Sequence, residues 1–153
     1  MTARFYLLVG MTLISTAALG CSCTKPVMTL EEEIRRAFAF AAAIVQAQAI
    51  AVKDESGISA THKGPPPPVQ KQRVTWQVTH AWKGSYEPSS TIESVTDGLY
   101  GGCGFTVRKG EVYILYLSGP MPFSLSTCSE SKPLNEAGPE IIILDALANG
   151  AGA

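Results

Sequence analysis

Two cysteines separated by one residue, directly after an apolar leader, constrain this 153-residue chain more than any other feature. Cys21 and Cys23 lie in the stretch AALGCSCTKP, where the apolar segment ends. They are too close in sequence to bridge each other without strain. Each is therefore expected to pair with Cys103 or Cys128, as two disulfides of an exported chain. A lipid attachment site at Cys21 and a metal site are the alternatives.

Residues 1–20 have the features of a signal peptide. Arg4 precedes an uncharged apolar run, and Ala18 and Gly20 place small residues at positions −3 and −1 of a cleavage site. The run is shorter than the roughly 20 residues that a spanning helix needs, which disfavours a retained anchor. Lipid processing usually requires leucine at −3, whereas Leu19 is at −2. We therefore predict a secreted or periplasmic protein that begins at Cys21, with a lipid-anchored form at the outer surface as the alternative.

The charge balance argues against two classes of partner. Twelve Lys and Arg residues against 13 Asp and Glu residues give a net charge of −1. The sequence has no basic stripe for nucleic acid and no polybasic patch for an anionic membrane. We expect no nucleic-acid partner, and we expect membrane association only if Cys21 is lipidated.

Hydrophobic periodicity predicts two helices and five strand regions, one of which is a hairpin. Thr29 and Glu32 form a capping-box pattern before an amphipathic helix, and Pro139 favours the start of a final helix. The predicted strands are Ile44 to about Val52, the stretch RVTWQVTHAWKG, residues 90–95, a hairpin of GFTV and EVYILYL that turns at Gly110, and PFSLSTC. A long connection containing Pro65–Pro68 separates the first two strands.

This set of elements predicts a mainly β domain over residues 21–147, followed by a frayed tail at 148–153. In the second strand, alternation places five side chains on one face: Val74, Trp76, Val78, His80 and Trp82. Five antiparallel strands with uneven connections suit a closed barrel of the OB type, with a helix near the N-terminus and one at the C-terminus. An open sandwich is the alternative.

The sequence carries little catalytic equipment. It has no HExxH, GxSxG or phosphate-binding glycine loop. The segment YGGCGF opens no predicted helix, and His62 and His80 have no carboxylates at ligand spacing. The CxC spacing matches neither a zinc ribbon nor a CxxC redox motif. We therefore predict no enzymatic activity, no cofactor and no metal of its own.

The order of the short motifs is similar to that of a known family. CSC after the leader, then WKG, GGCGF, YILYL and LSTCS, resembles the tissue inhibitors of metalloproteinases over about residues 21–147. More broadly, the pattern resembles the netrin-like module that shares their OB-type barrel. The resemblance implies the pairings Cys21–Cys103 and Cys23–Cys128. The chain lacks the further cysteine pair that forms a third disulfide in the animal inhibitors.

The resemblance also implies a function. The inhibitors fill the open position of a catalytic zinc with the α-amino nitrogen and carbonyl oxygen of the first cysteine, here Cys21. Ser22 points into the pocket beside the metal, and the other expected contact residues are Cys23, Thr24, Tyr100, Gly101 and Gly102. The implied partner is a zinc metalloendopeptidase. The alternative is a non-inhibitory netrin-like module that binds another extracytoplasmic protein or a glycan.

Overall fold

The computed structural model describes residues 23, 26–55, 71–97 and 103–150. Its elements in chain order are α1 (Leu30–Phe40), β1 (Ala43–Asp54), β2 (Lys71–Lys83), β3 (Thr91–Asp97), β4 (Val112–Leu117), β5 (Phe123–Leu125), β6 (Lys132–Pro133), a 3-10 turn (Leu134–Glu136) and α2 (Gly138–Ala148). The predicted mainly β chain with a helix towards each end is confirmed. The predicted leader and the proline stretch Pro65–Pro68 lie outside the described residues.

The strands form one curled sheet in the order β5-β3-β2-β1-β4-β6. Neighbouring strands are antiparallel except β3 and β5, which run parallel. The prediction of a closed five-stranded barrel is wrong, because the described residues contain a sixth strand and no ladder between β4 and β5. The structure is a half-barrel whose edge strands, β5 and β6, are very short.

The predicted strand GFTV is also wrong. The N–H groups of Phe105 and Val107 donate to side chains, and residues 103–107 are not part of the ladder. Thr96 Oγ1 accepts from the Phe105 N–H at 3.1 Å, and Gln72 Oε1 accepts from the Val107 N–H at 2.8 Å. The Phe105 ring stacks on Tyr113 of β4, with ring centroids 5.6 Å apart. The predicted hairpin with β4 therefore does not form, although Gly110 does make a turn, with φ of 93°.

The predicted single face of β2 is divided between the two sides of the sheet. Val78 pairs with Ala47, but the next paired residue is His80, opposite Gln46, so Thr79 is an extra residue. An extra residue reverses the alternation of side chains along a strand. Consequently Val78 is buried on the inner side, His80 is exposed and Trp82 is buried on the outer side.

Apolar side chains pack on both sides of the sheet. The inner core, on the concave side, contains Ala43, Val45, Ala47, Ala49, Val74, Trp76, Val78, Ile92, Val107, Tyr113, Leu115, Leu117, Phe123 and Leu125. The helix-side core, between the sheet and the two helices, contains Ile34, Ala41, Ile44, Trp82, Ile114, Tyr116, Ala137 and Leu144. The β4 sequence VYILYL supplies both cores, as expected for a strand covered on both faces.

The motif WKG connects both helices to the sheet. The Trp82 indole N–H donates to Asp145 Oδ1 of α2 at 2.7 Å. The Lys83 ammonium donates to the carbonyl oxygens of Phe38 (2.6 Å) and Ala39 (3.2 Å), at the end of α1. A cation there satisfies free carbonyls and complements the helix dipole. The first two residues of this motif thus have a structural role.

Gly84 completes the motif at a point of close approach. Its φ is +96°, and a Cβ added there would lie 2.7 Å from the Cβ of Ala43. A side chain is therefore disfavoured both by backbone conformation and by space.

Candidate functional site

A disulfide connects the first described residue to the loop after β5. Cys23 and Cys128 are bonded, with their Cα atoms 5.4 Å apart and a sequence separation of 105. The predicted pairing of these two cysteines is therefore confirmed. It attaches the segment before α1 to the body of the domain.

Most of the candidate contact residues lie outside the described residues: Cys21, Ser22, Thr24, Tyr100, Gly101 and Gly102. Of the predicted set, Cys23 is the residue that the structure places. Cys103 is also disulfide-bonded. Since Cys21 is not described, the pairing Cys21–Cys103 stays a prediction.

The chain at Cys103 lies beside the chain at Cys128. The N–H and the hydroxyl of Thr127 both donate to the carbonyl oxygen of Cys103, the hydroxyl at 3.0 Å. Thr127 immediately precedes Cys128, so these hydrogen bonds bring the chain at Cys103 next to the chain at Cys128. Cys103 and Cys128 are thus close enough to pair with Cys21 and Cys23, which are separated by one residue in sequence.

Serine side chains organise the loop that carries Cys128. Ser129 Oγ donates to the Ser126 carbonyl at 2.7 Å, and the Cys128 N–H donates to Ser126 Oγ at 3.2 Å. Ser131 Oγ accepts from the N–H of Tyr116 on β4 at 2.9 Å. The loop therefore has its own hydrogen bonds and its own attachment to the sheet.

We call the described residues Cys23 and Pro26–Met28 the N-terminal arm. The disulfide attaches the arm at Cys23, and a long hydrogen bond runs from Arg36 Nη1 to Met28 Sδ at 3.9 Å. Pro26 and Val27 are exposed. Met28 and Cys23 are half-buried.

A groove of about 580 Å³ lies between the arm, α1 and the loop after β5. It is lined by Pro26, Val27, Met28, Glu33, Arg36, Ala37, Phe40, Ala41, Tyr116, Ser118, Cys128, Ser129 and Glu130. The sequence analysis did not identify it. The sequence did contain a signal for it. Glu33, Arg36, Ala37 and Phe40 recur at spacings of three and four residues and therefore share one face of α1, on which Phe40 stays 77% exposed.

A buried ionic cluster lies between the sheet and α2. The Tyr116 hydroxyl donates to Glu140 Oε1 at 2.6 Å, and Lys132 Nζ pairs with Glu140 Oε2 at 2.6 Å. The Glu140 side chain is only 3% exposed. Burial, together with this hydrogen bond and the charge of Glu140, raises the pKa of Tyr116. The phenol therefore stays protonated and acts as a donor that holds α2 on the sheet.

Catalytic and metal-binding groups are sparse in the part of the chain that the structure describes. These residues contain no cluster of three or more His, Cys, Asp or Glu side chains that could hold a metal. No helix among them is long and apolar enough to cross a membrane. His80 is exposed and contacts Trp82 edge-on, with ring centroids 4.7 Å apart.

No protein-family model matches the chain, and no curated protein matches it in sequence.

Proposed function

We propose that the protein is an exported inhibitor of a zinc metalloendopeptidase, similar in mechanism to the tissue inhibitors of metalloproteinases. The supporting observation is the Cys23–Cys128 disulfide. It fixes the chain two residues after Cys21 to a hydrogen-bonded loop. The residues that would enter the protease, Cys21 and Ser22, directly precede this fixed point.

The proposed chemistry requires a free amino terminus at Cys21. An α-amino group has a pKa of about 7.7–8.0, so it loses its proton to zinc near neutral pH. The amine and the carbonyl oxygen of Cys21 then occupy the open coordination position of the partner's zinc. A rigid N-terminal segment loses little conformational entropy on docking, which favours tight binding.

The sheet order supports an OB-type barrel that is partly open. β4 and β5 both contribute side chains to the inner core, although they do not pair. The order β5-β3-β2-β1-β4 is that of a five-stranded barrel opened between β4 and β5, and OB folds are commonly partly open. We infer this fold and an extracytoplasmic location, where the disulfide would persist.

The decisive experiment compares two versions of the mature chain. The chain that begins at Cys21 is expected to inhibit a zinc endopeptidase, and the same chain with one alanine before Cys21 is expected not to. An alanine added after Ala153 is the matched control. Circular dichroism checks that all three proteins share one fold. Equal inhibition by the N-terminally extended chain would exclude chelation by the amine.

Intact mass and N-terminal sequencing of the exported protein test the alternative processing. A diacylglyceryl group on Cys21 would overturn the proposal, because a thioether forbids the disulfide of that cysteine. A free Cys21 with both disulfides formed supports it.

A non-inhibitory netrin-like interaction module is the second candidate function. The groove favours it, because Val27 and Phe40 remain exposed beside an apolar and charged lining. Such a module would bind another extracytoplasmic protein or a glycan, and its binding would be lost in Phe40→Ser but kept in the alanine-extended chain.

A further inference from the structure

We propose that the outer side of helix α2 binds a second copy of this chain, so that two molecules form a symmetric, antiparallel helix pair. We call this surface the α2 face, and it consists of the exposed residues Gly138, Pro139, Ile142, Asp145, Ala146 and Asn149. None of its residues lines the groove beside the N-terminal arm. The proposal does not rest on the function proposed above.

Helix α2 lacks the charged outer side that a helix at a protein surface normally carries. Its sequence, GPEIIILDALA, contains two charged residues. Glu140 is buried against Lys132, which leaves Asp145 as the charge on the outer side of this helix. Ile142, at the centre of that side, is 73% exposed. A helix that is apolar on all sides is normally covered on all sides, so the α2 face is expected to have a partner.

Helix α1 provides the contrast within the same molecule. Both helices have 11 residues, and both pack on the helix-side core. The outer side of α1 exposes the charged side chains of Glu31, Glu32, Arg35 and Arg36, as suits contact with water. The two helices therefore differ on the side that faces away from the core, and α2 is the one whose outer side suits contact with protein.

The α2 face is complementary to itself in size. Pro139 and Gly138 lie three and four positions before Ile142, and Asp145 and Ala146 lie three and four positions after it. A two-fold axis at Ile142 therefore brings the two Ile142 side chains together and places Ala146 of one copy opposite Pro139 of the other. A Cβ added at Gly138 meets no atom of the described residues within 4 Å, so each helix start leaves room for the other copy.

The charge on the face also fits an antiparallel pair. The same axis places Asp145 of one copy opposite Gly138 of the other, which is the first residue of that helix. The N-terminus of a helix carries a partial positive charge, so a carboxylate is favourable there. Helix α2 contains no Lys or Arg, the residues with which a surface helix binds an anionic membrane. A charged protein surface would leave its own charges unpaired against Ile142 and Ala146.

The size of the face sets the strength of the pair. An 11-residue helix is about 16 Å long. Stable interfaces bury about 800 Å² on each partner, which is more than one side of such a helix provides. The dimer is therefore expected to form at high micromolar concentration and to dissociate on dilution.

Sedimentation equilibrium of the purified mature chain tests the proposal. The average mass is expected to rise from one chain towards two between low and high micromolar concentration. Ile142→Glu places two like charges at the axis and should raise the dissociation constant about tenfold or more. Ala148→Glu is the matched control and should leave it unchanged, because this exposed position of α2 lies one third of a turn away from Ile142 around the helix. Far-ultraviolet circular dichroism checks that the variants keep the fold.

Gly138→Leu is a second test that adds bulk without charge. Its Cβ points into open space in the single chain, whereas in the pair the side chain displaces Asp145 of the second copy, so the fold should stay and association should weaken. A chain that stays monomeric at the highest concentration, or a dimer that either variant leaves intact, would overturn the proposal. Protection of Ile142 from a soluble spin label in the monomer would assign the face to another segment of the same chain, and binding of the monomer to anionic vesicles would assign it to a membrane. Either result would also overturn the proposal.

Discussion

The two cores of this molecule are stabilised in different ways. At the centre of the inner core, the polar pair is neutral: the Trp76 indole N–H donates to Ser94 Oγ at 2.8 Å. In the helix-side core, charged side chains make the connections, through Lys132 with Glu140 and through Trp82 with Asp145. The inner core thus depends mainly on apolar area and shape, and the helix-side core depends also on specific ionic partners.

This difference indicates which part of the molecule sets the fold and which part positions the candidate site. Burial of apolar surface is non-directional and supports the curled sheet as a whole. Charged contacts are directional, and here they hold α1 and α2 at fixed places on the sheet. Because the groove and the arm lie along α1, their geometry depends on the helix-side core.

The largest effect is expected from Trp76→Ala in the inner core. The indole is fully buried, and its removal leaves a cavity as well as an unpaired Ser94 hydroxyl. Loss of a large buried aromatic costs about 3–5 kcal/mol of unfolding free energy. Chemical denaturation measures it. A cost below about 1 kcal/mol, the range of a tolerated repacking, would show that the inner core does not dominate stability.

The second effect is expected from Glu140→Ala in the helix-side core. Removing one partner of a buried ion pair costs about 3–5 kcal/mol, and the partial exposure of Lys132 places this pair towards the lower end. The double variant Glu140→Met/Lys132→Met should regain much of the loss, since apolar side chains of similar length fill the site. If the single and double variants are equally unstable, the contribution of the cluster is packing and not charge.

Much of the fold could be predicted because its signals are local. The capping box at Thr29 and Glu32, the helix after Pro139 and the strand of Trp76 all follow from short-range patterns. The course of residues 103–107 could not be predicted, because it depends on distant side chains. Thr96 and Gln72 supply the hydrogen bonds that a neighbouring strand would otherwise make.

The candidate site was predictable to a smaller extent. Cysteine spacing predicted that Cys23 would be tied to a distant cysteine, and the family resemblance selected Cys128. The groove arises where the arm meets α1. Glu140 is buried where it pairs with Lys132, which comes from another segment of the chain. Both features depend on tertiary packing, which a pattern within one element does not report.

An intermediate effect is expected from Gly84→Ala, at the junction of the two cores. The new methyl group would approach the Ala43 side chain to 2.7 Å, and the backbone has a positive φ. Strain of this kind costs about 1–3 kcal/mol. Ser85→Ala, at the exposed neighbouring position, is the matched control and should be nearly neutral. A stable Gly84→Ala variant would mean that β2 and β1 can separate there without loss.

The smallest effect is expected at the capping box of α1, and it tests whether the helix side opens without the inner core. Thr29→Ala removes the hydroxyl that accepts from the Glu32 N–H, a loss of about 1 kcal/mol. Amide exchange should accelerate in α1 and stay slow in β1. Equal acceleration in both would show that the two cores open together.

The pH dependence of the Thr29–Glu32 capping box tests whether the charge of Glu32 stabilises helix α1. The hydrogen bonds from the Thr29 N–H and hydroxyl lower the pKa of Glu32, because both donate to its ionised carboxylate. A carboxyl whose pKa is lower in the folded state stabilises that state above its unfolded pKa, which is about 4.3 for glutamate. This contribution is lost as the pH falls through the lower, folded value. Glu32→Gln should therefore accelerate exchange in α1 at neutral pH and match the parent chain in acid. A difference between the two chains that persists in acid would mean that the glutamate acts through packing and not through its charge.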